Sequence, residues 1–324
     1  MSLKTICLPV QHELKQVEDL ILKEIASEVK IVNEVAKHVL QNGGKRIRPA
    51  VILLTSKLVG SDIASAVHLA ASIEMIHAAS LLHDDVLDNA AIRRGKQSAN
   101  SRWGNQISIL VGDFLWSRAS NLALNKSNNK ILGFIIQTVE KITEGEILEI
   151  VKSNNFEISR DEYLKIITLK TAKLFECAAG LGALVVNSAS STESTLKEYG
   201  LNLGIAFQLA DDVLDYISNE EVFGKKAGTD LIEGKTTLPL ILALKLCTEE
   251  ESHGIREALL SNKFDSQIFG YNKGVLKKYN AIEASLEIAR GYSNLAKEAL
   301  SKFRPSIEKD ALMALADYAV SRLE

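Results

Sequence analysis

The chain has 324 residues, 46% of them apolar, with a formal net charge of −3 and three widely separated cysteines. That balance excludes a general nucleic-acid binder, which needs a strong basic excess. Cys7, Cys177 and Cys247 fit neither a disulfide framework nor a zinc pattern, so reduced thiols in a cytoplasmic protein are expected. Residues 1–16 carry no secretory h-region, and no run such as 181–186 approaches the roughly 20 apolar residues of a spanning helix.

Helical periodicity runs from end to end. Leu14, Val17, Ile21, Ile25, Val29, Val32, Ala36 and Val39 recur at three- and four-residue steps, predicting one helix that stops at Asn42-Gly43-Gly44. Pro49 suits the first turn of a helix over 50–59. Further helices are predicted over about 63–88, 107–124 and 130–151, and over 160–186 as a pair or one long element. Another spans 195–216. Residues 219–234, rich in Gly, Lys and Asp, read as a flexible loop and a candidate lid. Thr236 or Thr237 is expected to cap a helix that begins at Pro239. Ile282, Leu286, Ala289, Leu295, Ala299 and Leu300 continue the pattern. With no β-alternation and no linker, the expectation is a single all-α domain over 1–324.

The pentapeptide Asp-Asp-Val-Leu-Asp occurs twice, at 84–88 and 211–215, each time after an apolar helical run. Residues four apart share a helix face, so Asp84 lies with Asp88 and Asp211 with Asp215. Carboxylates concentrated in this way repel unless cations fill the gap. Two facing clusters suit Mg²⁺, which completes its octahedron with water and substrate phosphates. Lys45, Arg46 and Arg48 occupy a Gly-bounded turn at a helix mouth, where backbone N–H groups, the helix dipole and guanidinium forks favour phosphate. Arg93, Arg94, Lys170, Lys225 and Lys235 add cations. The pattern describes a site for two polyphosphates, one held through metal and one directly.

Taken in order, GGKRIRP, EMIHAASLLHDDVLD, RRG, GDFL, KT, FQLADDVLD and GKTTLP resemble the signatures of the trans-isoprenyl diphosphate synthases (polyprenyl synthetases) over nearly the whole chain. The resemblance implies a helical bundle of the isoprenoid synthase type around a deep central cavity, and a homodimer. It also implies Mg²⁺-dependent condensation of isopentenyl diphosphate with an allylic diphosphate such as farnesyl diphosphate. Residue by residue, Lys45, Arg48, His77 and Arg94 would bind isopentenyl diphosphate. Asp84, Asp88 and Asp211 would ligate Mg²⁺ on the allylic diphosphate, supported by Asp85, Asp212 and Asp215. Arg93, Lys170, Lys225 and Lys235 would contact that same diphosphate, with Thr171 and Gln208 near the carbocation.

The same resemblance bears on product length. Ser80 and Ile76 lie one and two turns before Asp84, with Ala79 beside them, and each turn corresponds to roughly one isoprene unit, about 5.4 Å. Farnesyl-forming relatives usually place an aromatic residue at one or both of the positions held by Ala79 and Ser80. Their small side chains imply an open pocket and a long product, octaprenyl or a neighbour, with Phe134 as the expected floor. A geranylgeranyl- or farnesyl-forming synthase would differ only in pocket depth. A non-catalytic subunit of a heteromeric synthase would typically lack one acidic motif.

Overall fold

The computed structural model describes residues 1–41, 44–126, 128–186, 188–217, 228–260 and 266–321. The chain is all-α. In order, the helices are α1 (Leu3–Ile6), α2 (Gln11–Glu24), α3 (Lys30–Gln41), α4 (Ile47–Leu58), α5 (Ile63–Leu87), α6 (Ala99–Trp103), α7 (Asn105–Lys126), α8 (Asn129–Lys152) and α9 (Arg160–Ile167). They continue as α10 (Lys173–Val185), α11 (Ser190–Ile217), α12 (Thr229–Ile232), α13 (Leu238–Leu244), α14 (Glu249–Leu260), α15 (Ser266–Lys278), α16 (Ala281–Ala299) and α17 (Ile307–Ser321).

α5 is the spine of the molecule. Asp62 caps its N-terminus through the backbone N–H groups of Ala64 and Ser65. Beyond that cap the helix is apolar on every side, a pattern that belongs inside a protein. Leu69, Ile73, Met75 and Leu82 are fully buried, against α7 on one side and α4 on another. Each such side chain contributes about 1.5–3 kcal/mol on burial. α5 is also long and apolar enough to cross a membrane by length and composition, which corrects the expectation that no run approaches that limit. In this fold 72% of its most apolar window is buried by other helices.

Five further expectations change. The first long helix divides at 25–29, because Asn33 folds back on Ser27: its Oδ1 accepts the Ser27 N–H at 3.0 Å and its Nδ2 donates to the Ser27 carbonyl at 2.7 Å. The predicted element over 160–186 is neither a separate pair nor a uniform helix. α9 and α10 join through a π-helical turn, Thr168–Ala172. Thr237 does sit at the N-cap of α13, yet its hydroxyl pairs with the Tyr216 hydroxyl at 2.9 Å and caps nothing. Strand structure exists as a two-residue hairpin, Ile92–Arg93 against Lys96–Gln97, turned by Arg94 and Gly95 at φ 52° and 73°. Within the expected loop, α12 is helical, whereas 219–227 lie outside the described residues.

Candidate active site

Both acidic motifs end helices that point into one cavity of about 700 Å³. Asp84, from the last turn of α5, and Asp211, from α11, line it together with Glu146 of α8. The other aspartates of the motifs are placed around this pair. Asp85 is buried and takes a charge-assisted hydrogen bond from Arg93 Nε. Asp88 caps α5 and faces Lys235 Nζ at 3.4 Å. Asp212 is 4% exposed and accepts from the Tyr163 hydroxyl and from Gln208 Nε2 at 2.7 Å. Asp215 accepts from the backbone N–H groups of Thr229 and Asp230, both at 3.1 Å, and so holds the first turn of α12.

Crowding the carboxylates out of water raises their affinity for protons. Burial, helped by Glu146 and Asp88, pushes Asp84 up to about 7 against the pull of Lys170 and Arg93. Burial also pushes Asp212 up to about 7, and it raises Asp230 well above the usual carboxylate value, where Asp215 and Asp212 add repulsion. A cation placed here would relieve that repulsion. Among the described residues no three His, Cys, Asp or Glu side chains converge tightly enough to enclose an ion. The few carboxylates that do line the cavity, Asp84, Glu146 and Asp211, fit a hard divalent cation that completes its shell with water and phosphate oxygens.

Two lysines stand among these acids. Lys170 projects from the π turn to Glu146 at 2.8 Å and Glu149 at 2.5 Å. Lys235 meets Glu233 at 2.6 Å, Asp88 at 3.4 Å and Glu149 at 3.9 Å. Those carboxylates raise both lysines above their usual value against the opposing effect of burial, so they stay charged. Lys225 lies outside the described residues. Thr171 Oγ1 donates to Gln208 Oε1 at 2.8 Å, which fixes the amide so that its Nε2 turns to Asp212.

The same cavity also carries a basic set. Arg48 stacks its guanidinium 4.5 Å above the centre of the Phe175 ring, and its buried Nε has no hydrogen-bond partner among the described residues. Burial lowers Arg48 to about 10, which still leaves it charged. Lys45 stands 5.5 Å over the Tyr318 ring. Burial first, then Arg48, Arg94 and Arg93, hold His77 well below the ordinary histidine value, so it is neutral. Lys45, Arg48, His77, Arg93 and Arg94 all line the same cavity as Asp84 and Asp211.

The lining also includes the apolar side chains of Leu81, Ile142, Leu174, Phe175 and Phe207. Ser80 lines the cavity and donates its hydroxyl to the His77 carbonyl at 2.9 Å. Ile76 and Ala79 are each 3% exposed, buried inside α5's packing, and do not line the cavity. Phe134 also lies outside the lining; Lys197 Nζ stands 4.0 Å over its ring.

Sequence reasoning missed Glu146, Glu149, Tyr163 and Asp230. Glu146 and Glu149 carry a signal, acids three apart among apolar residues on one helix. Tyr163 and Asp230 carry none, since their partners are distant in the chain.

The polyprenyl synthetase family pattern matches residues 29–269. The chain is 37% identical over 325 residues to an octaprenyl diphosphate synthase of Escherichia coli K12, covering 99% of each. It is 38% identical to a polyprenyl synthase of Caulobacter crescentus solved with calcium and isoprenyl diphosphate, with a TM-score of 0.96 over 100% of this chain and 98% of that one. A decaprenyl diphosphate synthase of Rhodobacter capsulatus superimposes with a TM-score of 0.94 at 34% identity, covering 100% of both chains.

Proposed function

The chain belongs to the polyprenyl synthetase family, and we propose that it is a long-chain trans-prenyltransferase that condenses isopentenyl diphosphate with an allylic diphosphate, ending near octaprenyl diphosphate. One observation carries this reading: a single cavity is lined by carboxylates (Asp84, Glu146, Asp211), by cations (Lys45, Arg48, Arg93, Arg94, Lys170) and by apolar side chains (Leu174, Phe175, Phe207). That is the layout two diphosphates and a hydrocarbon tail require. The related synthases with octaprenyl and decaprenyl products support the long chain.

The allylic diphosphate sits on the acidic side, where Asp84, Asp88 and Asp211 would hold Mg²⁺ and Arg93, Lys170 and Lys235 add direct contacts, with Lys225 assigned by resemblance. When bound, Mg²⁺ neutralises the charge that builds on the departing diphosphate. Asp85, Asp212 and Asp215 serve as supports. Isopentenyl diphosphate rests on the metal-free wall of Lys45, Arg48, His77 and Arg94. Neutral His77 offers a hydrogen bond without adding a fourth charge to a wall that already repels itself.

As the allylic C–O bond breaks, Lys170 and Arg93 face the negative charge where it develops. The Thr171 hydroxyl and the Gln208 carbonyl oxygen lie beside the carbocation, their dipoles fixed in advance by the Thr171–Gln208–Asp212 chain. The two substrates are held side by side, so the double bond attacks without diffusion. The departing diphosphate takes the proton lost from the isopentenyl unit. Leu174, Phe175 and Phe207 keep water from the cation.

The 324 residues form a single catalytic domain in this reading. A second copy covers the apolar side chains that α7 and α8 expose, Leu110, Leu124, Ile136, Ile147, Ile150 and Val151. Three free thiols suit a cytoplasmic setting. The test is turnover of farnesyl diphosphate and labelled isopentenyl diphosphate with Mg²⁺, the products separated by length. A ladder ending near octaprenyl is expected. Arrest at geranylgeranyl would move the product class, and no condensation with any primer would overturn the reading.

A further inference from the structure

The turn over 45–48 carries three cations, yet one of them is held by the protein itself. Arg46 Nη1 donates to Glu74 Oε1 at 2.6 Å and Nη2 to the Leu40 carbonyl at 2.5 Å, while Nε faces Glu18 at 3.5 Å. One guanidinium thus hydrogen-bonds the end of α3 to α5, with a longer ion pair to α2. Glu74 is 5% exposed, so the pair is largely removed from water.

Four further observations tie this strut to the basic wall, and Gly44, Arg46 and Glu74 line the same cavity as Lys45, Arg48 and His77. Arg46 adopts a left-handed backbone at φ 50°, a conformation that a non-glycine residue keeps only when its surroundings force it. Its carbonyl accepts the Ala50 N–H at 3.0 Å, so the same residue starts α4 and aims Arg48. Gly44 leaves the room: a Cβ there would stand 2.7 Å from Arg46 Nη1 and 3.4 Å from Glu74 Oε1. Glu74 also lies one helical turn before His77 on α5, so the strut reaches both segments that build the wall.

We infer that Arg46 is a positioning residue, locked by Glu74 over Gly44, that fixes the turn presenting Lys45 and Arg48 and so sets affinity for the diphosphate bound without metal. This rests on the assignment of that wall to isopentenyl diphosphate. A ligand site loosened by about 1 Å loses much of its binding even when every contacting side chain remains.

Gly44→Ala, Arg46→Lys and Glu74→Gln test it, with kcat and both KM values measured and inorganic diphosphate binding followed by calorimetry without Mg²⁺. For each variant, KM for isopentenyl diphosphate and Kd for inorganic diphosphate rise by about tenfold, an expectation scaled to one lost charge-assisted contact. KM for the allylic diphosphate and kcat at saturation stay within about twofold. Arg46→Lys keeps the charge but cannot span the three partners, so a wild-type KM in that variant means Arg46 acts as a plain charge and overturns the inference. Earlier melting with both KM values unchanged overturns it too, leaving a pair that serves only stability. An equal rise in both KM values shows a disturbance of the whole site and has the same consequence. If the wild type condenses no substrates, the proposed function fails, while calorimetry on the three variants still decides the role of Arg46.

Discussion

Asp84 and His77 are two turns apart on α5 and face opposite electrostatic problems. Asp84 is crowded by carboxylates and needs cations, so Asp84→Asn should lower single-turnover condensation by about three orders of magnitude while leaving the helical signal intact. Chelation of Mg²⁺ should likewise stop turnover, yet leave isopentenyl diphosphate binding measurable by calorimetry, because Arg48 and Lys45 need no metal. Uncoupled loss of the two would be expected; joint loss would mean metal also builds the basic wall. His77 is held neutral, below its unfolded value of about 6.5. Below that pH the unfolded chain binds a proton that the folded chain refuses, so ν_U exceeds ν_N and stability falls as the pH falls. Denaturant titration should show a loss on the order of 1 kcal/mol between pH 6.5 and 5.5 that His77→Gln lacks. Equal pH slopes in both proteins would mean that the histidine is already charged in the fold.

At the scale of elements, the π turn between α9 and α10 sets the geometry of the side proposed for the allylic diphosphate. An extra residue in the turn displaces the following side chains, and such turns concentrate at functional sites. Here it presents Lys170 to the acids of α8 and Thr171 to Gln208 of α11. Two glycines let those neighbours approach. A Cβ on Gly145 would stand 2.5 Å from the Lys170 backbone nitrogen, and one on Gly204 would stand 2.6 Å from the Ala172 Cα. In an open helix, Gly→Ala gains about 1 kcal/mol. At Gly145 the overlap with backbone decides the sign, so Gly145→Ala should destabilise by about 1–3 kcal/mol and lower kcat as Lys170 and Thr171 shift. Thermal melting and steady-state kinetics check both parts, and a stabilised, fully active variant would show that the turn yields freely.

For the whole molecule, the questions are tail length and assembly. Ser80 lines the cavity, whereas Ala79 is buried against the rest of the core, so Ser80→Phe should cut the product ladder by several isoprene units with condensation retained. An unchanged ladder would mean that the tail leaves by another route. Ala79→Phe inserts an aromatic ring into packed surroundings and should cost about 1–3 kcal/mol. Sedimentation is expected to give twice the chain mass, and Ile147→Glu, on the exposed stripe of α8, to give a monomer.

What the chain order determined unaided was whatever depends on local spacing. The helical period, the extent of α5, the two acidic motifs and the Gly-bounded basic turn are all properties of residues within a few turns of each other, and ordered motifs sufficed for the family. Other features belong to pairs that are remote in sequence. Arg46 became a strut because Glu74 is 28 residues away on another helix. Tyr163 serves Asp212 across 49 residues, and Lys235 meets Asp88 across 147. The π turn depends on two glycines from α8 and α11, and Thr237 lost its capping role to a hydroxyl on α11. Local periodicity carries no information on which distant side chain will satisfy a buried polar group. That is settled only when packing removes water and each donor must find the acceptor the fold places beside it.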